Sequence, residues 1–284
     1  MTARAVVRRY PARSFFALAL ATSWGSGLAL RAALAAAGAH FGPAAALSLF
    51  PVLVVSVAVY GVLLTRLAYG RGGQAALGRR AARWRLGRWY AIVLLPPALI
   101  LLALSMLSAI APAFRPGFFP AGFAFGIAAG VLEEVGWTGY ALPALAAHRS
   151  WKSASVVIGL VWGLWHLPVV DFLGAATPHG TWRVPFALAF MLMVSGLRVI
   201  VSWAAVGTDS LVAAQLLHLS STGCLVMLGP PHATAAQEAC WYAVYGALLW
   251  IVAAAVLVNA PDESRSSPWR AVSAPHRARA AGPR

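Results

Sequence analysis

The sequence predicts an all-α protein, a polytopic bundle of about eight transmembrane helices with both termini in the cytoplasm. Three observations carry this expectation. The 284 residues are 61% hydrophobic and 10% charged, with a mean hydropathy of +0.75, against about 25% charged residues in an average soluble chain. Apolar runs of the length that crosses a hydrocarbon core as a helix, about 20 residues, recur with short connections. The 22 Lys and Arg, set against 7 acidic residues, cluster in the tails and in one connection, as cations do on the cytoplasmic side of a membrane. A net charge of +15 also fits a nucleic-acid binder, but no aromatic platform accompanies the arginines. The expected partners are the lipid bilayer and a protein or peptide substrate, with no nucleic acid.

Taken in order, residues 1–13 form a basic tail with Arg4, Arg8, Arg9 and Arg13. A first span, about Phe15 to Ala37, contains Ser23, Gly25, Ser26 and Arg31, and reads as an uncleaved helix because further spans follow at once. A second, about Ala44 to Leu64, leads into a basic loop holding Arg66, Arg71, Arg79, Arg80, Arg83, Arg85 and Arg88. That loop is the strongest cytoplasmic signal. The third span, about Tyr90 to Ile110, should kink at Pro96-Pro97, where two amide donors are missing. The fourth runs from about Phe118 to Ala146 and the fifth from about Ser153 to Leu173, with Pro168 disturbing its end. A Gly/Thr/Pro loop over 174–184 precedes a sixth span at about Phe186 to Val206. The seventh and eighth follow at about Ser210 to Leu228 and Ala239 to Val258. Residues 14–260 thus form one membrane domain of a multi-pass cell-membrane protein, and 261–284 a disordered basic tail. Only Arg115 and Arg183 fall in outer loops, while Arg31 and Arg198 fall within spans. Cys224 and Cys240 lie in no metal or redox spacing and read as small buried residues, or as a disulfide in an oxidising compartment.

The organising stretch is Gly130-Val131-Leu132-Glu133-Glu134-Val135-Gly136-Trp137-Thr138-Gly139-Tyr140. An ionised side chain at mid-bilayer costs at least about 2.5 kcal/mol, so two adjacent carboxylates there mark function. Successive helical residues diverge by about 100°, and Glu133 and Glu134 therefore require separate partners. Glu133 shares a face with Gly136, Trp137 and Tyr140, and Glu134 with Thr138. The glycines leave room for close helix contact or substrate. On the fifth span, Trp162 and His166 lie one turn apart. On the seventh, Gln215, His218, Ser221 and Thr222 form a polar stripe that must face protein or trapped water. Competing readings exist for each. A membrane His is often a strut between helices, Trp162 and Trp165 fit packing or interfacial aromatics more often than substrate contacts, and Asp171, Asp209 and His179 fit solvated span ends.

Imidazoles and a carboxylate in a water-excluding bundle offer two chemistries. Glu133, His166 and His218 suit a zinc site with an open position, so the cofactor question stands between zinc and none. Without metal, Glu133 helped by His166 activates water against a carbonyl, while His218 and a nearby hydroxyl donate to the oxyanion.

At these residues the sequence resembles the intramembrane CAAX-protease and bacteriocin-processing family. The resemblance rests on Glu133-Glu134-Val135-Gly136-Trp137-Thr138-Gly139-Tyr140 with Ala141-Leu142-Pro143, on Trp162-Gly163-Leu164-Trp165-His166, and on His218-Leu219-Ser220-Ser221-Thr222. It covers a protease-like core at 117–228. It implies an eight-helix endopeptidase with Glu133, Glu134, His166, His218 and Thr222 as catalytic residues, and Trp162 and Trp137 at the substrate. Thr138 stands where the family usually has Arg, with Arg198 the candidate replacement, and Thr222 stands where Asn or Asp is usual. The rival functions are a non-catalytic immunity or scaffold protein of the same fold, and a proton-coupled transporter using the same carboxyls.

Overall fold

Helices built from the apolar runs account for nearly all of the regular structure in the computed structural model, which describes residues 2–261. In chain order they are α1 (Ala3–Arg9), α2 (Pro11–Ala36), α3 (Pro43–Ala81), α4 (Leu95–Ser108), α5 (Phe123–Gly136), α6 (Leu142–Ala146), α7 (Trp151–His166), α8 (Arg183–Thr208), α9 (Leu211–Leu228) and α10 (Ala235–Asn259). No strand occurs among the described residues. The tail expected over 261–284 lies, beyond Pro261, outside the described residues.

Among the described residues, five helical segments are long and apolar enough to cross a membrane: Pro43–Ala81, Gly87–Ser108, Gly180–Thr208, Leu211–Leu228 and Ala235–Asn259. The chain is a multi-pass membrane protein. The expected first, fourth and fifth spans are not among the five, for identifiable reasons. In α2, Thr22, Ser23, Trp24, Gly25, Ser26 and Arg31 dilute the apolar run. The segment with the glutamates changes winding after Gly136 into a π-helical turn, Trp137–Ala141. Helix α7 has 16 residues and stops at His166, because Pro168 supplies no amide and opposes the helical conformation of Leu167.

Two local expectations are corrected. The basic connection after residue 64 is mostly helix rather than loop: α3 continues to Ala81, with one break at Gly70, whose φ of 67° and ψ of −154° are not helical. Pro96-Pro97 lies at the start of an α-helix and not in its interior. A 3-10 segment, Gly87–Leu94, precedes α4, and the prolines occupy its first turn, where amides lack an intrahelical acceptor and their loss is harmless.

Packing concentrates on the later helices. Helix α8 packs most heavily on α10 and α7, and α5 on α9 and α3. The α5–α9 contact depends on glycine. A Cβ at Gly126 would stand 2.4 Å from the Gly223 amide nitrogen, and one at Gly130 2.6 Å from that of Leu219. Backbones this close exclude any side chain, the small-residue packing expected between membrane helices. Gly136 serves the α3 contact in the same way, its Cβ position lying 2.5 Å from the Val57 carbonyl oxygen. Close approach brings the carboxylates of α5 within reach of α9.

Candidate active site

Glu133 and Glu134 diverge as helix geometry requires. Glu134 is fully buried and saturated. The Arg198 Nη2, from α8, donates to its two oxygens at 3.0 and 2.9 Å. His218 Nδ1, from α9, lies 2.8 Å from Oε1, and the Thr138 hydroxyl one turn on donates to Oε2. Thr138 fills the expected arginine position, and Arg198 provides the charge from a different helix.

Glu133 is also buried, yet has one hydrogen-bonded partner among the described residues, the Trp162 indole N–H at 2.8 Å from Oε2. Its side chain lines a cavity of about 280 Å³ together with Trp162, His166, His218, Ser221 and Thr222. Groups from α5, α7 and α9 therefore share one space. The rest of the wall is overwhelmingly apolar, including Phe50, Phe125, Phe172, Phe190, Leu197 and Leu225.

Trp162 ties this arrangement together. Besides its bond to Glu133, its ring meets His166 and His218 edge to face, at centroid separations of 5.6 and 4.9 Å, and the Arg198 guanidinium lies 5.1 Å from its centre. Edge-to-face packing fixes imidazole planes, and the guanidinium against the ring adds a cation–π contact.

The tautomers follow from the partners. His166 Nδ1 lies 2.8 Å from the Trp162 carbonyl oxygen, which can only accept, so Nδ1 carries the hydrogen. Neutral His166 then has an unprotonated Nε2. His218 Nδ1 likewise donates to the Glu134 carboxylate. The end of α7 that carries His166 is gripped by α2: the Ser23 hydroxyl donates to the Trp165 carbonyl, Trp24 Nε1 to that of Leu164 at 3.1 Å, and Arg31 Nη2 to that of Pro168 at 3.0 Å. The polar residues of α2 thus satisfy carbonyls that the helix end leaves free.

The remaining sequence candidates fall in different places. Trp137 is fully buried against Phe15, Phe16 and Trp165 and does not line the cavity. It is a packing residue in the π turn, where Arg80 donates to the Thr138 and Gly139 carbonyls at 3.2 and 3.4 Å. Of the α9 stripe, Gln215 donates to the Val131 carbonyl and Ser221 bonds the Tyr245 hydroxyl at 3.0 Å, while Thr222 lines the cavity. Among the described residues no group of three His, Cys, Asp or Glu side chains is placed to hold a metal ion, while the engaged Nδ1 atoms of His166 and His218 leave the Nε2 atoms without a bonded partner.

Residues 115–223 match the family model described as type II CAAX prenyl endopeptidase Rce1-like. This central segment is similar to the CAAX-protease family. A stretch of 89 residues is 29% identical to CAAX prenyl protease 2 of Methanococcus maripaludis, covering 30% of this chain and 32% of that protein. The similarity therefore spans about a third of the curated relative's length. The CAAX-protease-like segment contains every residue of the cavity's polar cluster, from Glu133 to Thr222, together with Arg198.

Three other groups lie around this site. His179, expected as a solvated span end, is instead buried and bonds Glu238 and the partly exposed Asp171. Asp209 pairs with Arg83 at 3.0 Å and sits 3.8 Å from Arg80. Cys224 is buried, but Cys240 is exposed, and both are free thiols. Glu238 had no signal beyond its place in the first turn of α10.

Proposed function

We propose that the protein is an intramembrane endopeptidase in which Glu133 activates water against a peptide bond of a membrane-associated substrate. The single observation supporting this reading is that Glu133, His166 and His218, from three helices, line one cavity. The Glu133 carboxylate has one oxygen on Trp162, which leaves the other for a water. His166 Nε2, unprotonated in the neutral ring, accepts from the same water. In the first step the water oxygen bonds to the carbonyl carbon while its proton passes to Glu133, general-base chemistry worth about 10²–10⁴-fold.

The developing oxyanion requires donors. Because His218 donates from Nδ1 to Glu134, donation from Nε2 requires an imidazolium, whose charge would face the Glu134 carboxylate. Thr222 Oγ is the hydroxyl on the same wall. When the tetrahedral intermediate collapses, the C–N bond breaks and Glu133 returns its proton to the leaving amine. Glu134 and Arg198 act as positioning residues, holding His218 and the ring of Trp162. The name of the Methanococcus relative suggests a prenylated CAAX peptide as first probe. Its alkyl portion suits the apolar wall.

The test is cleavage of a farnesylated CAAX peptide by the purified full chain in proteoliposomes, comparing the native protein with Glu133→Gln. Loss of cleavage with unchanged folding supports the proposal, and undiminished cleavage defeats it. A non-catalytic immunity or scaffold role draws support from Thr222, which stands where Asn or Asp is usual. Thr138 no longer favours it, since Arg198 pairs with Glu134.

A further inference from the structure

The connection from α7 to α8 forms one wall of the cavity and is tied down at both ends. Val169, Phe172, Leu173 and Gly174 line the cavity. At the near end, beside His166, Arg31 donates to the Pro168 carbonyl and lies 3.8 Å from the centre of the Phe41 ring and 5.8 Å from that of Phe172. At the far end, Glu238 of α10 receives the amides of Ala175 and Ala176, each at 2.8 Å, and His179 Nε2 at 3.1 Å.

His179 completes this far anchor. Its ring is buried and stacked flat on Phe186, with centroids 3.7 Å apart and planes at 15°. Nδ1 faces the Asp171 carbonyl at 3.0 Å and Nε2 faces the Glu238 carboxylate, both acceptors, so both ring nitrogens donate and the imidazole is charged. The His179 amide also donates to Asp171 Oδ1 at 3.1 Å. Gly174 allows the fit: its φ is +91°, and a Cβ there would stand 2.4 Å from Glu238 Oε1. A carboxylate buried at the start of a membrane helix, accepting two loop amides and an imidazolium, is an expensive group whose partners all belong to the strap.

We propose that Glu238 is a positioning residue for substrate: by holding residues 174–179 it fixes Phe172 and Leu173 as the wall that receives an apolar part of the substrate. The inference rests on the hydrolase reading for its substrate, but its geometry can be tested without hydrolysis. Because Arg31 separately anchors the strap next to His166, releasing Glu238 disturbs the wall more than the reacting groups. The expected signature is a rise in KM with kcat little changed, the pattern of lost uniform binding.

The experiment uses the full chain in proteoliposomes with Cys240→Ser, removing the exposed thiol, and Leu173→Cys as a reporter. In Glu238→Gln, and in Gly174→Ala, which displaces the strap without altering charge, maleimide labelling of the reporter should accelerate by roughly tenfold, as expected when a local opening becomes easier. Without the reporter, KM for the farnesylated CAAX peptide should rise by roughly tenfold with kcat within about twofold. In a Glu133→Gln background the peptide should protect the reporter from labelling, and Glu238→Gln should raise the half-protecting concentration. The proposal is overturned if both variants label at the native rate, if labelling accelerates while KM and protection are unchanged, or if the peptide gives no protection. Protection by the peptide combined with no cleavage by the native protein would instead remove the hydrolase reading and leave the wall assignment standing.

Discussion

Glu133 and Glu134 share a helix turn, a residue type and burial, and differ in almost everything else. Glu134 is ringed by Arg198, His218 and Thr138, whereas Glu133 has the Trp162 indole and faces open space. Glu238 belongs with Glu134: both its oxygens are committed to partners. A saturated carboxylate holds structure, because its lone pairs are spent on protein donors. An unsaturated one beside a cavity is available to water. That difference assigns separate roles to adjacent identical residues.

The largest test of the contrast is a matched pair of amide substitutions. Glu133→Gln should lower the rate of peptide cleavage by about 10²–10⁴-fold with little change in thermal stability, while Glu134→Gln should lower stability as well as rate. Equal stability losses in both variants, measured by thermal unfolding in detergent, would erase the distinction. Next comes the charge partner. Arg198→Leu leaves Glu134 buried without its cation, a change that costs about 3–5 kcal/mol in buried pairs, and folded yield and unfolding temperature should both fall sharply.

A smaller effect is expected from Trp162→Phe, which keeps a ring but removes the donor to Glu133. Hydrogen bonds to charged groups contribute about 1.5–3 kcal/mol, so turnover should drop by roughly tenfold or more while Glu134-dependent stability is retained. Measuring kcat and unfolding in the same preparations separates the two.

His179 tests the second saturated carboxylate. Burial acts to lower its pKa, but the hydrogen bonds it donates to Glu238 and to the Asp171 carbonyl, with the two acidic charges, outweigh it and raise the value above 6.5. A raised folded-state pKa stabilises fully below the unfolded value and is lost as pH climbs through the folded one. The unfolding temperature of the native protein should therefore exceed that of His179→Gln by a few degrees below about pH 6.5. The gap should close at alkaline pH, and a pH-independent gap would remove the charged His179. The smallest expected effect is that of a chelator, which should leave cleavage unchanged, since the three candidate ligands do not form a metal cluster. Loss of activity restored by added zinc would overturn the metal-free mechanism.

The polar cluster was legible because the bilayer makes its members conspicuous: Glu133, Glu134, His166, Arg198 and His218 are ionisable residues inside otherwise apolar spans. The spacing of Trp162 from His166 also showed their shared face. Trp137 misled, since a tryptophan one turn from a glutamate on an ideal helix suggests a common surface, while the π turn after Gly136 redirects the backbone into a fully packed layer. His179 was misread for a different reason: it sits at the end of an apolar run, where water and protein partners leave the same trace in sequence.

By itself the sequence determined that the chain is helical, that it lies in a membrane, and which ionisable side chains lipid would not tolerate unless they were partnered. Those are consequences of composition and of the cost of charge in hydrocarbon, which act residue by residue. Only the tertiary structure decided which partner each one received: Arg198 for Glu134, Trp162 for Glu133, and the α7–α8 strap for Glu238. Such pairings depend on backbones approaching at Gly126, Gly130 and Gly136 and on where α7 ends. Distances between helices far apart in the chain carry no mark in local periodicity.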